Sequence, residues 1–237
     1  MFNPARYQVV SFDCYGTLVD WETGLLGALR PLLACHRVKA PDEEVLELYA
    51  QIESTLEAGP YLPYREVLKH TSLMLGAHFN FPISIPEAQG LAASLAAWPL
   101  FPDAAAALKR LQSRYRLALL ANADDNLLAP ELTRFEVLFD WVITSQQAEA
   151  YKPSPRFFQH AMGKIGLPAN HILHVSASLY HDIGPAAALG IDTIWVNRRA
   201  GQEGTGATPP SAAHADLTMA GLQELVDAVD DESWRTG

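Results

Sequence analysis

The sequence is poor in cysteine and in long apolar runs. Its 237 residues include only Cys14 and Cys35, which is too few for a disulfide framework and fits a reducing compartment. The N-terminal stretch has no apolar signal core, and no apolar run is long enough to cross a bilayer as a helix. We therefore expect a soluble, cytoplasmic protein with no membrane partner.

Positive charge is also scarce. Lys and Arg total 17 against 27 Asp and Glu, which gives a formal net charge of -10 at pH 7. A nucleic-acid backbone needs a basic face, so we expect no nucleic-acid partner. A locally positive pocket remains compatible with an acidic chain, and a small-molecule substrate is the expected partner. The sequence leaves the oligomeric state open, a homodimer included.

Five short apolar runs, each ending in small or polar residues, alternate with helical patterns along the chain. These runs cover residues 7–12, 116–120, 141–143, 172–175 and 193–196. The alternation is typical of parallel strands joined by crossover helices. It predicts an α/β fold with a Rossmann-like parallel sheet. In such sheets the ligand site lies outside the carboxyl ends of the strands, so the polar residues that end the runs should meet in one crevice.

One long interval, residues 21–98, breaks this alternation. It contains helical patterns over 42–57 and 64–75 and no strong β run. We interpret it as a small all-helical cap over the crevice, inserted into a catalytic core made of residues 1–20 and 99–237. The alternative is that these helices simply pack on the sheet, but the length of the interval favours a cap.

Three residues at the predicted crevice have the chemistry of a nucleophilic site. Asp13 ends the first run, in FDCYGTL, and an aspartate held there can form a covalent ester or an acyl phosphate. Lys152, in AYKPSP, can hold Asp13 ionised and lower its pKa. Asp182 can orient Lys152 or activate a water molecule. Each also has a plainer explanation, since Asp13 could cap a turn, Lys152 could lie on a surface loop and Asp182 could cap a helix.

Taken in order, strand-Asp-x-x-Gly-Thr, strand-Asn, Lys-Pro and strand-Ser-…-Asp resemble the haloacid dehalogenase superfamily. The resemblance covers nearly the whole chain. It implies a hydrolase in which Asp13 becomes transiently esterified, with Lys152 and Asp182 as its catalytic partners. The residues that it implies for substrate binding or positioning are Tyr15, Thr17, Asn122, Ser176, Ser178 and Arg65.

Within that superfamily the sequence looks closest to the L-2-haloacid dehalogenases, because of Tyr15. Phosphatase members carry a second aspartate there, as Asp-x-Asp, which protonates the leaving alkoxide. A phenol, with a reference pKa of about 10, is a poor acid for that purpose. Halide leaves without a proton, so a dehalogenase does not need the second aspartate.

The metal motif points the same way. The usual Gly-Asp-Ser reads Ser176-Ala177-Ser178 here, and alanine cannot ligate a cation that prefers oxygen donors. The resemblance therefore implies no metal and no other cofactor, with Mg²⁺ required only if the protein is a phosphatase. Asp124 or Asp125 would change this expectation if either reached the crevice.

Two departures from the dehalogenase pattern keep other functions open. Ala121 replaces a Ser or Thr that binds the substrate anion, a loss of about 1.5–3 kcal/mol. Dehalogenases also place a cap arginine near the carboxylate, whereas the equivalent stretch, LYAQIES, contains Glu53. An inward arginine such as Arg65 would favour a haloacid, and an inward Glu53 or Glu57 would weigh against it. The alternatives are an atypical Mg²⁺-dependent small-molecule phosphatase and a catalytically silent binding protein.

Overall fold

The computed structural model describes residues 3–231. Within that range six strands form one sheet with the spatial order β3-β2-β1-β4-β5-β6, and every neighbouring pair is parallel. The predicted α/β class is confirmed. The strands are β1 (Val9–Asp13), β2 (Arg116–Ala121), β3 (Trp141–Thr144), β4 (Ile172–Ser176), β5 (Asp192–Val196) and β6 (Leu217–Met219).

The helices of the core connect these strands. All five residues of β1 are buried, which explains why its sequence, VVSFD, is a nearly continuous apolar run rather than an alternating one. The core helices are α5 (Ala104–Gln112), α6 (Asp125–Arg134), α7 (Ser145–Ala148), α8 (Pro155–Ile165), α9 (Gly184–Ala188) and α10 (Leu222–Asp230).

Four further helices lie between β1 and β2 in the chain. The helix predicted over 42–57 has those bounds, and the one predicted over 64–75 continues to His78. The chain enters and leaves this helical insert side by side, because Val19 bridges Leu100 and the Asp20 N–H donates to the Pro99 carbonyl. The four are α1 (Trp21–Cys35), α2 (Asp42–Glu57), α3 (Tyr64–His78) and α4 (Ile85–Ser94).

A surface loop of the core also contacts this insert. Arg199 forms ion pairs with Glu22 of α1 and Glu43 of α2, and the Gly206 N–H donates to Glu43 at 2.7 Å. These bonds attach the first turns of α1 and α2 to the core. Across residues 3–231, none of the helices combines the length and apolarity that crossing a membrane requires.

Candidate active site

The carboxyl edge of the sheet and the helical insert enclose a cavity of about 610 Å³. Asp13 reaches it because β1 is a central strand and Asp13 is its last residue. The neighbouring strands β2 and β4 bring their own terminal segments to the same edge. From the core, the cavity is lined by Asp13, Tyr15, Gly16, Asn122, Lys152, Ala177, Ser178, His181 and Asp182, among others.

A single ammonium group joins two carboxylates at this edge. Lys152 Nζ donates to Asp13 Oδ1 at 2.6 Å and to Asp182 Oδ1 at 2.8 Å. Its third hydrogen bond goes to the Leu120 carbonyl at 3.0 Å, so all three donors of the ammonium are used. Lys152 is only 1% exposed. The structure thus brings together the three residues that the sequence singled out as catalytic.

Thr17 fixes the other oxygen of the Asp13 carboxylate. Its hydroxyl donates to Asp13 Oδ2 at 2.7 Å and accepts the Ala177 N–H at 2.8 Å. Asp13 therefore has one hydrogen bond on each oxygen and one fixed orientation. It remains 6% exposed, toward the cavity.

The pKa values of the two carboxyl groups in this cluster shift in opposite directions. Burial raises the pKa of Asp13, and the attraction of Lys152 offsets this only in part. Burial alone would raise the pKa of Asp182 as well, but Lys152 and His174 hold it well below its usual range. The two carboxylates raise the pKa of Lys152 against the effect of its burial. Lys152 thus stays charged and Asp182 stays ionised, whereas the sequence-based expectation that Lys152 lowers the pKa of Asp13 is outweighed by desolvation.

His174 extends the cluster into the sheet. Its Nε2 lies 3.0 Å from Asp182 Oδ1, and its Nδ1 lies 2.9 Å from Ser11 Oγ. His174 is not among the site residues that the sequence motifs predict. The sequence does contain an indication of this contact. Ser11 and His174 are the polar residues in the interior of β1 and β4, and they pair in register across the two strands.

The other oxygen of Asp182 has no partner. Asp182 lies in a single π-helical turn, Leu179–Ile183, in which the Ile183 N–H donates to the carbonyl of Ser178, five residues earlier. This turn buries Asp182 and leaves its Oδ2 without a hydrogen bond at the cavity. A buried carboxylate oxygen in that state can receive a proton from a water molecule.

Asn122 positions the backbone of Lys152 rather than Asp13. Its Oδ1 accepts the Lys152 N–H at 2.8 Å, and its Nδ2 donates to the Lys152 carbonyl at 3.0 Å. The same Nδ2 faces both oxygens of Glu57, at 3.2 and 3.3 Å. Asn122 thus links the backbone at Lys152 to Glu57 of helix α2.

The two predicted serines contact each other rather than Lys152. Ser176 Oγ accepts the Ser178 N–H, and Ser176 is fully buried and absent from the cavity wall. Ser178 lines the cavity, caps the His181 N–H, and places its Oγ 3.1 Å from His181 Nδ1. Burial lowers the pKa of His181 to about 4, so the imidazole is neutral, and its Nε2 has no hydrogen-bond partner.

Tyr15 and Gly16 shape the base of the cavity. Gly16 has φ of +92°, and a Cβ there would lie 3.0 Å from the Trp21 ring, so both its conformation and its surroundings favour glycine. Tyr15 packs edge-on against Trp98, with ring centroids 5.7 Å apart. Its hydroxyl is buried and unpartnered, and burial raises its pKa well above the usual value. Tyr15 is therefore a neutral phenol beside Asp13.

Helix α2 contributes acidic side chains to the cavity that contains the Asp13–Lys152–Asp182 cluster. Glu53 is 3% exposed and accepts hydrogen bonds from the hydroxyls of Tyr49 and Tyr64, and the Glu57 side chain is 4% exposed. Both line the cavity. Burial raises the pKa of Glu53 to about 7, with the tyrosine hydrogen bonds offsetting part of the shift. Burial and then the charge of Glu53 raise the pKa of Glu57 well above its usual value.

The structure does not bring Arg65 to the site. Arg65 is exposed and absent from the cavity wall, because its position in the first turn of α3 faces outward. Asp124 and Asp125 also stay out of the cavity. Asp124 accepts the N–H groups of Tyr64 and Arg65 and so caps α3, and Asp125 accepts the Thr144 hydroxyl.

The chain is similar to known proteins over most of its length. A family model for haloacid dehalogenase-like hydrolases matches residues 7–190. The haloacetate dehalogenase H-2 of Moraxella sp. (strain B) is 26% identical over 202 residues, which are 81% of this chain and 87% of that protein. The (S)-2-haloacid dehalogenase 4A of Burkholderia cepacia is 32% identical over 102 residues, which are 42% of this chain and 44% of that protein.

A solved structure shares the fold. The L-2-haloacid dehalogenase from Xanthobacter autotrophicus, determined with chloropropionic acid covalently bound, matches with a TM-score of 0.76 and 20% identity. The match covers 96% of this chain and 100% of that one. Both the sheet and the helical insert therefore have counterparts in a single known protein.

Proposed function

The chain belongs to the haloacid dehalogenase-like hydrolases, as its motifs predicted, and from that premise we propose that it hydrolyses a small organic halide through an ester formed on Asp13. One observation carries the proposal. The Asp13 carboxylate lies at the cavity, bonded to Lys152 on one oxygen and to Thr17 on the other. A carboxylate oriented in this way is a nucleophile, and Tyr15 occupies the position from which a phosphatase would protonate its leaving group.

In the first step an Asp13 oxygen attacks the carbon that bears the halogen. The new C–O bond forms as the carbon–halogen bond breaks, and the halide leaves with the bonding electrons. No proton is needed, which suits a site whose nearest phenol, Tyr15, has a raised pKa. The ester is neutral, so the ammonium of Lys152 then has Asp182 as its one remaining anionic partner.

In the second step water attacks the carbonyl carbon of the ester. The unpartnered Oδ2 of Asp182 is the proposed base that takes the proton, and that proton goes on to the alcohol product as its C–O bond to Asp13 is released. His174 and Lys152 hold the other oxygen of Asp182. The second hydrogen of the water remains on Asp13 as the ester is cleaved and is released to solvent as the carboxylate reforms, with one oxygen derived from water.

We further propose that this reaction needs no divalent metal. The cation between the two carboxylates is the Lys152 ammonium, and Ala177 carries a methyl group where the family's phosphatases have an acidic ligand. In the part of the chain that the structure describes, no group of three or more His, Cys, Asp or Glu side chains is arranged to hold a metal ion. Undiminished turnover in excess EDTA would support the proposal.

The test is isotopic. The enzyme is incubated in H₂¹⁸O with 2-chloropropionate or 2-chloropropionamide, free halide is measured, and the peptide that contains Asp13 is analysed by mass spectrometry. Repeated turnover should place ¹⁸O in the Asp13 carboxylate, with Asp13→Ala as the inactive control. Mg²⁺-dependent release of phosphate from small esters, with no halide release, would favour the phosphatase alternative. Absence of label with both halides, and of any phosphatase activity, would favour a silent binding protein.

A further inference from the structure

The wall of the catalytic cavity is strongly acidic. Eight Asp and Glu residues line it, against three Lys and Arg residues. His181 adds no charge, because burial lowers its pKa to about 4. A concave site lined mainly by one sign of charge concentrates ligands of the opposite sign. This arrangement is the reverse of what an anionic haloacid needs.

Each basic residue of this wall already has an acidic partner. Lys152 pairs with Asp13 and Asp182. Arg198 forms a bidentate ion pair with Asp103, and Arg199 forms ion pairs with Glu22 of α1 and Glu43 of α2. A substrate carboxylate would therefore find no basic side chain without a carboxylate partner among the described residues of this wall.

The acids nearest the catalytic cluster are the pair on α2. Glu57 contacts Asn122, which holds the backbone of Lys152, and Glu57 Oε2 lies 3.9 Å from His181 Nε2. His181 is 8% exposed, lines the cavity, and leaves that nitrogen without a partner. Glu57 and the unpartnered nitrogen of His181 thus lie close to the Asn122–Lys152 contact, and Glu53 lines the same cavity one helical turn before Glu57.

We infer that the substrate carries a cationic group, such as a protonated primary amine, which Glu53 and Glu57 receive in place of the carboxylate of a haloacid. The inference rests on the proposed function, because it takes the reacting carbon to lie at Asp13. Burial disfavours ionisation of Glu53 and Glu57, and a cation placed between them restores the ionised forms and gains charge-assisted hydrogen bonds. An anion placed there would raise the pKa of both acids further and would lose its hydration.

The experiment measures binding without chemistry. Propylammonium, propionamide and propionate are similar in size and carry no leaving group, so ligand-observed NMR titration reports affinity alone. The wild type should bind propylammonium about tenfold to a hundredfold more tightly than propionate, as charge-assisted hydrogen bonds allow. The double variant Glu53→Gln/Glu57→Gln should lose that preference while it keeps the acceptor oxygens for Tyr49, Tyr64 and Asn122.

The control is Glu44→Gln, an exposed acid of the same helix that does not line the cavity, and it should bind all three probes like the wild type. Melting temperatures of all variants establish that they fold. The inference is overturned if propionate binds as tightly as propylammonium, if the double variant retains the preference, or if none of the probes binds. Failure of the proposed function would show separately, as absence of ¹⁸O in Asp13.

Discussion

Replacing Lys152 by methionine tests whether one ammonium group holds the catalytic cluster together. Methionine keeps the unbranched apolar stem, ends one atom short of Nζ, and removes the charge together with hydrogen bonds of 2.6 Å to Asp13 and 2.8 Å to Asp182. Both carboxylates are buried, so neither recovers hydration in the folded state. Removing one partner from a buried ion pair costs about 3–5 kcal/mol. We expect a loss of that size in the free energy of unfolding at pH 7.

The loss should depend on pH in a defined direction. Without the ammonium, the pKa of the Asp13 carboxyl rises further in the folded state. The protonated carboxyl is then tolerated at low pH, and the folded state loses stability as pH rises from the unfolded pKa of Asp13 through its raised folded pKa. In the wild type the low pKa of Asp182 contributes stability above its unfolded value, and that contribution is lost in acid. The two proteins should therefore differ most at pH 7–8 and least near pH 4.

The assays are urea unfolding across this pH range and halide release under the conditions of the isotope experiment. A protonated Asp13 is no nucleophile, so turnover should fall by about a hundredfold to a few thousandfold. This range is what about 3–5 kcal/mol, the cost of breaking the buried ion pair, gives when it is added to the activation free energy. Lys164→Met, at an exposed position of α8, is the matched control. A loss of stability below about 1 kcal/mol, or one that does not change with pH, would refute the reasoning.

Three further changes probe separate parts of the site. Thr17→Val removes the 2.7 Å hydrogen bond to the nucleophile and should lower turnover about tenfold to a hundredfold; unchanged halide release would contradict this. In Gly24→Ala the new Cβ would lie 2.2 Å from the Trp98 ring, so urea unfolding should show a loss of about 1–3 kcal/mol, whereas Gly27→Ala, with open space around it, should show none. Because burial raises the pKa of Glu53 to about 7, the free energy of unfolding of the wild type should fall by roughly 3 kcal/mol between about pH 4.5 and 7. Glu53→Gln should remove this fall. Parallel pH profiles of the two proteins would refute the prediction.

Much of the fold follows from local sequence. Each of β1 to β5 is a short apolar run that ends where polar residues begin, and the pattern repeats often enough to indicate a parallel sheet. The exception is β6, Leu217–Met219, which the sequence analysis missed. It is three residues long and has one strand neighbour, β5, so its formation depends on an edge that other strands create.

The order of motifs along the chain predicts that Asp13, Lys152 and Asp182 lie together, but it does not predict all of their contacts. Asp13 and Lys152 belong to motifs with a fixed order along the chain. Asn122, by contrast, is implied by the motifs as a substrate-binding or positioning residue, and in the structure it holds the backbone of Lys152. Asp124 caps a helix that begins sixty positions earlier in the chain. Such contacts depend on how the loops of the core meet the helical insert, and no local spacing encodes that geometry.

The proposed chemistry and the inferred recognition are assigned to different elements of this chain, so a change in the preferred charge of the substrate requires no change in the residues around Asp13. Asp13 is the last residue of β1, and Lys152 lies in the segment between α7 and α8. Tyr49, Glu53 and Glu57 follow one another at intervals of four on α2, so the 3.6-residue period places them along one stripe of a single helix. Substitutions along that stripe alter what the cavity attracts without moving a strand end, and for that reason the charge of α2 is a better guide to the substrate than the motifs around Asp13.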